Sequence, residues 1–106
     1  MILNSKILNK ILNSEYIKNI YPVIDRIETR VLWDGDEEIP FYDIDLKIYV
    51  NDPDMEISTM YEKGLDPHYL IDEHMIFLLR FYDISSRDIN QIYIKVIGPD
   101  GNVIYG

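Results

Sequence analysis

Two neighbouring stretches of the chain alternate between apolar and polar residues, which is the pattern of a β-strand with one buried face. Residues 23–33 alternate loosely, and residues 42–50 alternate strictly. One side of the second stretch carries Ile44, Leu46, Ile48 and Val50. The other side carries Asp43, Asp45, Lys47 and Tyr49. An acidic run at residues 34–38 supplies turn residues between them, so the sequence predicts an antiparallel hairpin with one solvent-exposed face.

The C-terminal residues repeat this arrangement on a smaller scale. Residues 91–97 alternate, a Gly-Pro-Asp-Gly-Asn turn follows at residues 98–102, and residues 103–105 form a short apolar run. Pro-Asp-Gly between two such runs indicates a tight turn, and we therefore predict a second hairpin.

The leading segment, residues 1–21, instead has apolar residues at helical spacing. They form one ridge, which consists of Leu3, Ile7, Leu8, Ile11 and Leu12. The ridge drifts after Leu12, so a kink is expected near residues 13–14, and Pro22 ends the helix. We predict an amphipathic helix here.

A second helix is predicted over residues 66–81, with Asp66 as its N-cap and Pro67 in the first helical position. Before it, Thr59 and Glu62 have the spacing of a capping box, which predicts one short helical turn that stops at Gly64.

Together these elements predict a single α+β domain over residues 1–106, in the order helix, hairpin, helix, hairpin. The sheet is expected to be four-stranded and largely antiparallel, with the helices packed on one face. Residues 1–21 form the amphipathic helix, and residues 23–106 form an acidic body.

The charge balance excludes several functions. Nineteen acidic residues against ten Lys and Arg give a formal net charge of −9, so we expect no direct binding to nucleic acid or to an anionic membrane surface. The chain has no cysteine, and its longest apolar run is too short to cross a bilayer. We expect a cytoplasmic protein, found in the host cytoplasm or the virion if it comes from a phage. Nineteen Ile and no Ala indicate an AT-rich genome, such as that of a phage.

Asp45 and Lys47 form an Asp-x-Lys triplet on the polar side of the second predicted strand. The triplet resembles the final motif of the PD-(D/E)xK nucleases, in which two acidic residues hold Mg²⁺ and the lysine helps to activate water. The resemblance covers three residues and implies Asp34, or Glu15 from the leading helix, as the further acid. A solvated strand face carries the same residue types, so a nuclease is an alternative reading.

Four residues are candidate metal ligands by type: Asp43, Asp45, His68 and Asp72. His68 and Asp72 stand four residues apart on the second predicted helix, which also suits an ordinary helix-surface pair. Because no complete set of ligands is visible, we expect neither a metal nor a cofactor.

The sequence shows no nucleophile elbow and no Gly-rich phosphate loop. We therefore expect a non-enzymatic interaction module, such as an assembly subunit, adaptor or inhibitor, that binds a protein partner or a second copy of itself. The candidate interface residues are Leu3, Ile7, Leu8, Ile11, Leu12 and Tyr49. The alternative role of the helical ridge is to complete the core. The acidic surface leaves a further alternative, a nucleic-acid mimic that occupies a basic cleft.

Overall fold

The computed structural model describes residues 3–33 and 42–106. Helix α1 spans Ser5–Leu12, and helix α2 spans Glu15–Ile20. Asn4 begins α1, since its side-chain oxygen accepts a hydrogen bond from the Ile7 N–H at 3.0 Å. Ser14 caps α2 in the same way. The leading segment is thus interrupted at residues 13–14, where the sequence predicts a kink.

Four strands follow: β1 is Ile24–Trp33, β2 is Tyr42–Val50, β3 is Ile89–Ile97 and β4 is Val103–Tyr105. They form one sheet in the order β1-β2-β3-β4. The two outer pairs are antiparallel, and the central pair, β2 with β3, is parallel. The α+β class and the mostly antiparallel four-stranded sheet predicted from the sequence are confirmed.

The parallel central pair depends on the segment between β2 and β3. Two parallel strands can be joined only by a crossover connection, which is usually helical. Here the crossover contains helix α3, which continues without a break through Pro67–Tyr69, Leu70–Met75 and Ile76–Phe81; its middle part is a π-helix. Asp66 is its N-cap, as predicted, and accepts a hydrogen bond from the Tyr69 N–H at 3.0 Å.

The predicted capping box is displaced by three residues. A short 3-10 helix occupies Ile57–Thr59, and Glu56, rather than Thr59, is its N-cap, with Thr59 as the reciprocal partner. The pairing of Thr59 with Glu62 is therefore wrong. Gly64 does end the following turn, because its φ of 85° is a conformation that glycine adopts without a Cβ clash.

The core lies against one face of the sheet. Ile44, Leu46 and Ile48 of β2 are almost completely buried, and so are side chains from all three helices. The fully buried helical residues include Leu8, Leu12, Ile17, Leu70, Met75 and Leu79. Each such side chain contributes about 1.5–3 kcal/mol by leaving water. The opposite face of the sheet carries the exposed Arg26, Glu28, Arg30 and Lys47.

Helix α1 seals the outer edge of β1 with a row of polar side chains. Ser5, Asn9 and Asn13 are spaced four residues apart, so they lie along one side of the helix and its end. Their bonds of 2.8–3.0 Å join Asn13 to both the N–H and the C=O of Ile27, Asn9 to the N–H of Thr29, and Ser5 to the N–H of Val31. Side chains of α1 and its end therefore satisfy three N–H groups and one C=O of this edge strand, which hinders the pairing of another strand there.

Candidate functional site

Asp45 and Lys47 lie on the exposed face of the sheet, as their spacing requires. In the strand register Asp45 stands opposite Arg30 of β1, and Lys47 stands opposite Glu28. Each therefore stands beside a residue of opposite charge in the register, although neither pair is close enough to form an ion pair in the described structure. The second acid of the nuclease interpretation, Asp34, lies outside the described residues.

The candidate metal ligands lie on two different elements, β2 and α3. Asp43 accepts a hydrogen bond from Asn90 Nδ2 at 3.1 Å on the exposed face of the sheet, whereas His68 and Asp72 lie on α3. Within residues 3–33 and 42–106, no three His, Asp or Glu side chains are grouped in a way that could hold a metal ion.

Tyr49 also lies on the exposed face, where neighbouring side chains hold its ring. The Arg26 guanidinium lies 3.9 Å from the centre of the Tyr49 ring, and the Tyr49 hydroxyl donates to Glu28 at 3.1 Å. This bond to Glu28 raises the pKa of Tyr49 above its ordinary value, and the nearby Arg26 partly opposes the rise. Tyr49 is thus part of a cross-strand cluster within the chain itself.

The helical ridge lies in the core. Leu3, Leu8, Ile11 and Leu12 are all buried, and Ile7 packs against them. The structure therefore gives the ridge the role that the sequence left as the alternative, and a binding surface must be sought elsewhere.

A groove of about 350 Å³ lies between α3 and β3. Its apolar lining consists of Ile71, Ile76, Ile89, Ile92 and Ile94, and its polar lining consists of His68, Asp72 and Asn90. The sequence-predicted pair His68 and Asp72 is therefore brought together at this groove. The Nε2 atom of His68 lies 2.8 Å from the Tyr105 hydroxyl, which ties the beginning of α3 to β4.

The edge of β3 beside this groove is open over much of its length. Strand β4 pairs only with Val96 and Ile97 of β3, and no other strand in the described parts of the chain pairs on that side. The Gly106 backbone approaches the Ile94 carbonyl oxygen, so this oxygen faces the same side. Because backbone groups alternate in direction along a strand, Ile92 also presents its N–H and C=O there. We call residues 91–94 the open edge; Ile92 offers both of its backbone groups there, whereas Gly106 lies against the carbonyl oxygen of Ile94.

The side chains of the open edge combine exposure with apolar character. Ile92 and Ile94 are half-buried above the groove, and the ring of Tyr93, on the other face, is 52% exposed. Asn90 is the extra residue of a β-bulge that precedes the open edge. From Ile89 to Ile94 the strand carries no charged residue, whereas natural edge strands are usually protected by charges or proline.

The groove is also where α3 departs from α-helical geometry. Ile71 and Asp72, which line it, belong to the π-helical segment Leu70–Met75. Segments of π-helix hold well under 1% of residues in globular proteins and are frequent at functional sites. An irregular helix, an apolar groove and an open edge therefore coincide.

A second cluster, which the sequence analysis missed, surrounds His74. The rings of Tyr16, Tyr21 and Tyr69 lie edge-on to the His74 ring, with centroids 5.8, 5.8 and 5.2 Å away. The Tyr21 hydroxyl and His74 Nε2 are both buried without a hydrogen-bond partner in the described structure. Burial raises the pKa of Tyr21 to about 12, and Asp66 adds to the rise. No sequence signal joins these residues, because they come together only when α2 packs on α3.

In comparisons with known proteins, no family model matches the chain, and neither does any curated protein or solved structure. The helices in the described ranges are all too short or too polar to span a membrane.

Proposed function

We propose that the protein is a non-enzymatic protein–protein interaction module, which binds an extended segment of a partner protein along the open edge of β3. The observation that carries this proposal is the contrast between the two sides of the sheet. Ser5, Asn9 and Asn13 accept hydrogen bonds from three N–H groups of the β1 edge, whereas the open edge lies unpaired beside an apolar groove. An uncharged, unpaired edge is a template for an added strand.

In strand addition, the backbone of the open edge and the apolar groove have different roles. The partner's main chain pairs with the N–H and C=O of Ile92, which supplies affinity without regard to side chains. Every second side chain of the partner then points into the groove, which supplies specificity. The added strand lies in line with β4, on the same side of β3.

The first test uses a synthetic hexapeptide in which Ile and Thr alternate. In ¹H–¹⁵N NMR titrations of the whole chain, we expect the amide resonances of residues 91–94 to shift and their hydrogen exchange to slow. The same peptide with alternate amides methylated keeps its side chains but cannot pair as a strand, so it should leave these resonances unchanged. Equal shifts with both peptides, or shifts confined to another surface, would overturn strand addition.

A pair of variants tests the same site from the protein side. Ile92→Lys places a charge over the groove, which is how natural edges are blocked. Leu32→Lys is the matched control, since Leu32 is a partly exposed aliphatic residue on β1, away from the groove. Circular dichroism first establishes that both variants fold. We expect Ile92→Lys to lose peptide binding and Leu32→Lys to keep it.

Two other occupants predict different results. If a second copy fills the edge, analytical ultracentrifugation will show a dimer that Ile92→Lys dissociates, and the separate partner is then excluded. If the acidic surface instead mimics nucleic acid, Ile92→Lys will capture a basic partner as well as the native chain does. That binding would vanish in about 1 M salt, where the Debye length is ~3 Å. Either result overturns the proposal.

A further inference from the structure

We infer that the segment bound at the open edge is cationic: it carries aliphatic side chains at alternate positions and a Lys or Arg that reaches Asp72. This inference rests on the proposed function, and it names the chemical class of the partner segment. Three observations lead to this inference: the apolar lining of the groove, the single charged residue in that lining, and the net negative charge of the whole chain.

The apolar lining selects the side chains that enter the groove. All five apolar lining residues are isoleucines, so the surface is branched and aliphatic throughout. Val, Ile or Leu at alternate positions of an added strand leave water there, which favours binding by about 25 cal/mol per Å² of buried apolar surface. The intervening side chains face the exposed side of the sheet beside Gln91 and Tyr93, where polar residues suffice.

The polar lining selects the charge. Among the residues that the structure describes, Asp72 is the only acidic one that lines the groove, and neither Lys nor Arg lines it. Of the other two polar lining residues, His68 lies within hydrogen-bond distance of Tyr105 and Asn90 donates to Asp43. Asp72 is exposed, and within the described structure it has neither an ion-pair partner nor a side-chain hydrogen bond. An ammonium or guanidinium group from the partner is the complementary charge.

The net charge of the whole chain also favours a cationic segment. Its formal net charge of −9 attracts a cationic segment and raises its rate of encounter. The same charge repels a second copy of this chain. A cationic extended peptide therefore fits the apolar groove, pairs with Asp72 and is attracted by the net negative charge of the chain.

The experiment measures the affinity of labelled heptapeptides by fluorescence anisotropy, at 20 mM and 150 mM NaCl. The probe has Val and Thr alternating between two terminal lysines, and a matched probe has glutamate in place of both lysines. A third probe is the lysine peptide with alternate amides methylated. The protein variants are Asp72→Asn and, as the control, Glu73→Gln, which makes the same change in net charge at the next exposed residue, outside the groove.

We expect the lysine probe to bind at least fivefold more tightly than the glutamate probe at 20 mM NaCl. Asp72→Asn should weaken the lysine probe about three- to fivefold, the size of one exposed ion pair, whereas Glu73→Gln should change it less than twofold. Equal affinity of the lysine and glutamate probes, or equal effects of the two variants, would overturn the inference. If methylation still abolishes binding in that case, the proposed strand addition stands. If the methylated peptide binds as well as its parent, strand addition itself fails.

Discussion

At the scale of single residues, Asp83 is the clearest case of a side chain held in an unfavourable backbone conformation. Among the described residues it is the one non-glycine residue with a positive φ, 56°, and it follows the last turn of α3. Its N–H and that of Ile84 close the helix by donating to the carbonyls of Arg80 and Leu79. This is a position that glycine usually fills, and a negative charge there also opposes the helix dipole.

We therefore expect Asp83→Gly to raise the free energy of unfolding by about 0.5–1 kcal/mol. Urea denaturation followed by circular dichroism measures the change. Asp83→Ala removes the charge but keeps a Cβ in the left-handed region, so it should gain less than Asp83→Gly or lose stability. If both variants are stabilised equally, the charge rather than the backbone is the cause.

Tyr21 illustrates a different residue-scale effect, a buried hydroxyl without a partner. Its side chain is 4% exposed, and burial raises its pKa to about 12. The unfolded chain therefore releases this proton near pH 10, whereas the folded chain holds it until about pH 12. Stability from this group is complete below pH 10 and decreases as the pH rises from 10 to 12.

We expect Tyr21→Phe to match or slightly exceed the stability of the native chain at pH 8, because it removes an unsatisfied polar group. Between pH 10 and 12 the native chain should lose about 2 kcal/mol more than Tyr21→Phe does. Tyr61→Phe, at a 65% exposed position, is the control and should follow the native curve. Denaturant titrations at each pH provide the measurement, and parallel curves for the native chain and Tyr21→Phe would contradict the expectation.

At the scale of elements, the sequence predicts what repeats along the chain and misses what depends on contacts between segments. Strict alternation in β2 and the Asp66-Pro67 start of α3 are local, and both are found as predicted. The direction of β3 relative to β2 is not local, because a strand alternates in the same way in parallel and antiparallel pairs. The π-helical segment likewise has no local sequence pattern.

The candidate site was predictable only in fragments. His68 and Asp72 were identified as a pair, but their groove requires α3 to pack beside β3. The absence of charged residues between Ile89 and Ile94 is visible in the sequence. It points to a binding edge only when the strand order shows that this edge is open. The helical ridge shows the same limit: apolar spacing alone does not distinguish a helix that faces the core from one that faces a partner, whereas the burial of Leu8 and Leu12 places the ridge in the core of this chain.

The polar row on α1 makes its own prediction at this scale. Asn9 accepts hydrogen bonds from the backbone N–H and the hydroxyl of Thr29, at 2.8 and 2.6 Å. Asn9→Ala leaves that N–H without a partner, and Ala gains some helix propensity, so we expect a net loss of about 1–2 kcal/mol. Lys6→Ala, at an exposed position of the same helix, should be neutral. Urea denaturation of both variants tests this, and equal stabilities would show that the row does not support the β1 edge.

At the scale of the whole molecule, a net charge of −9 on 12.6 kDa should make folding and binding respond to salt in opposite directions. Raising NaCl from 10 to 150 mM shortens the Debye length from ~30 to ~8 Å, which screens self-repulsion in the folded state and attraction to a cationic partner alike. We therefore expect the thermal midpoint to rise with salt while affinity for the lysine probe falls.

Variants of the net charge determine whether repulsion is the cause of the thermal effect. Glu62→Gln with Glu73→Gln reduces the size of the net negative charge from −9 to −7 at two exposed positions. Lys10→Gln with Lys18→Gln increases it to −11. If repulsion is responsible, the rise in midpoint between 10 and 150 mM NaCl, measured by differential scanning calorimetry, should be smallest for the first double variant and largest for the second. Comparing slopes rather than midpoints removes the local cost of each substitution. The same slope in all three proteins would mean that salt acts through bound ions or solvent, and the argument that the field of the chain selects a cationic partner would lose its physical basis.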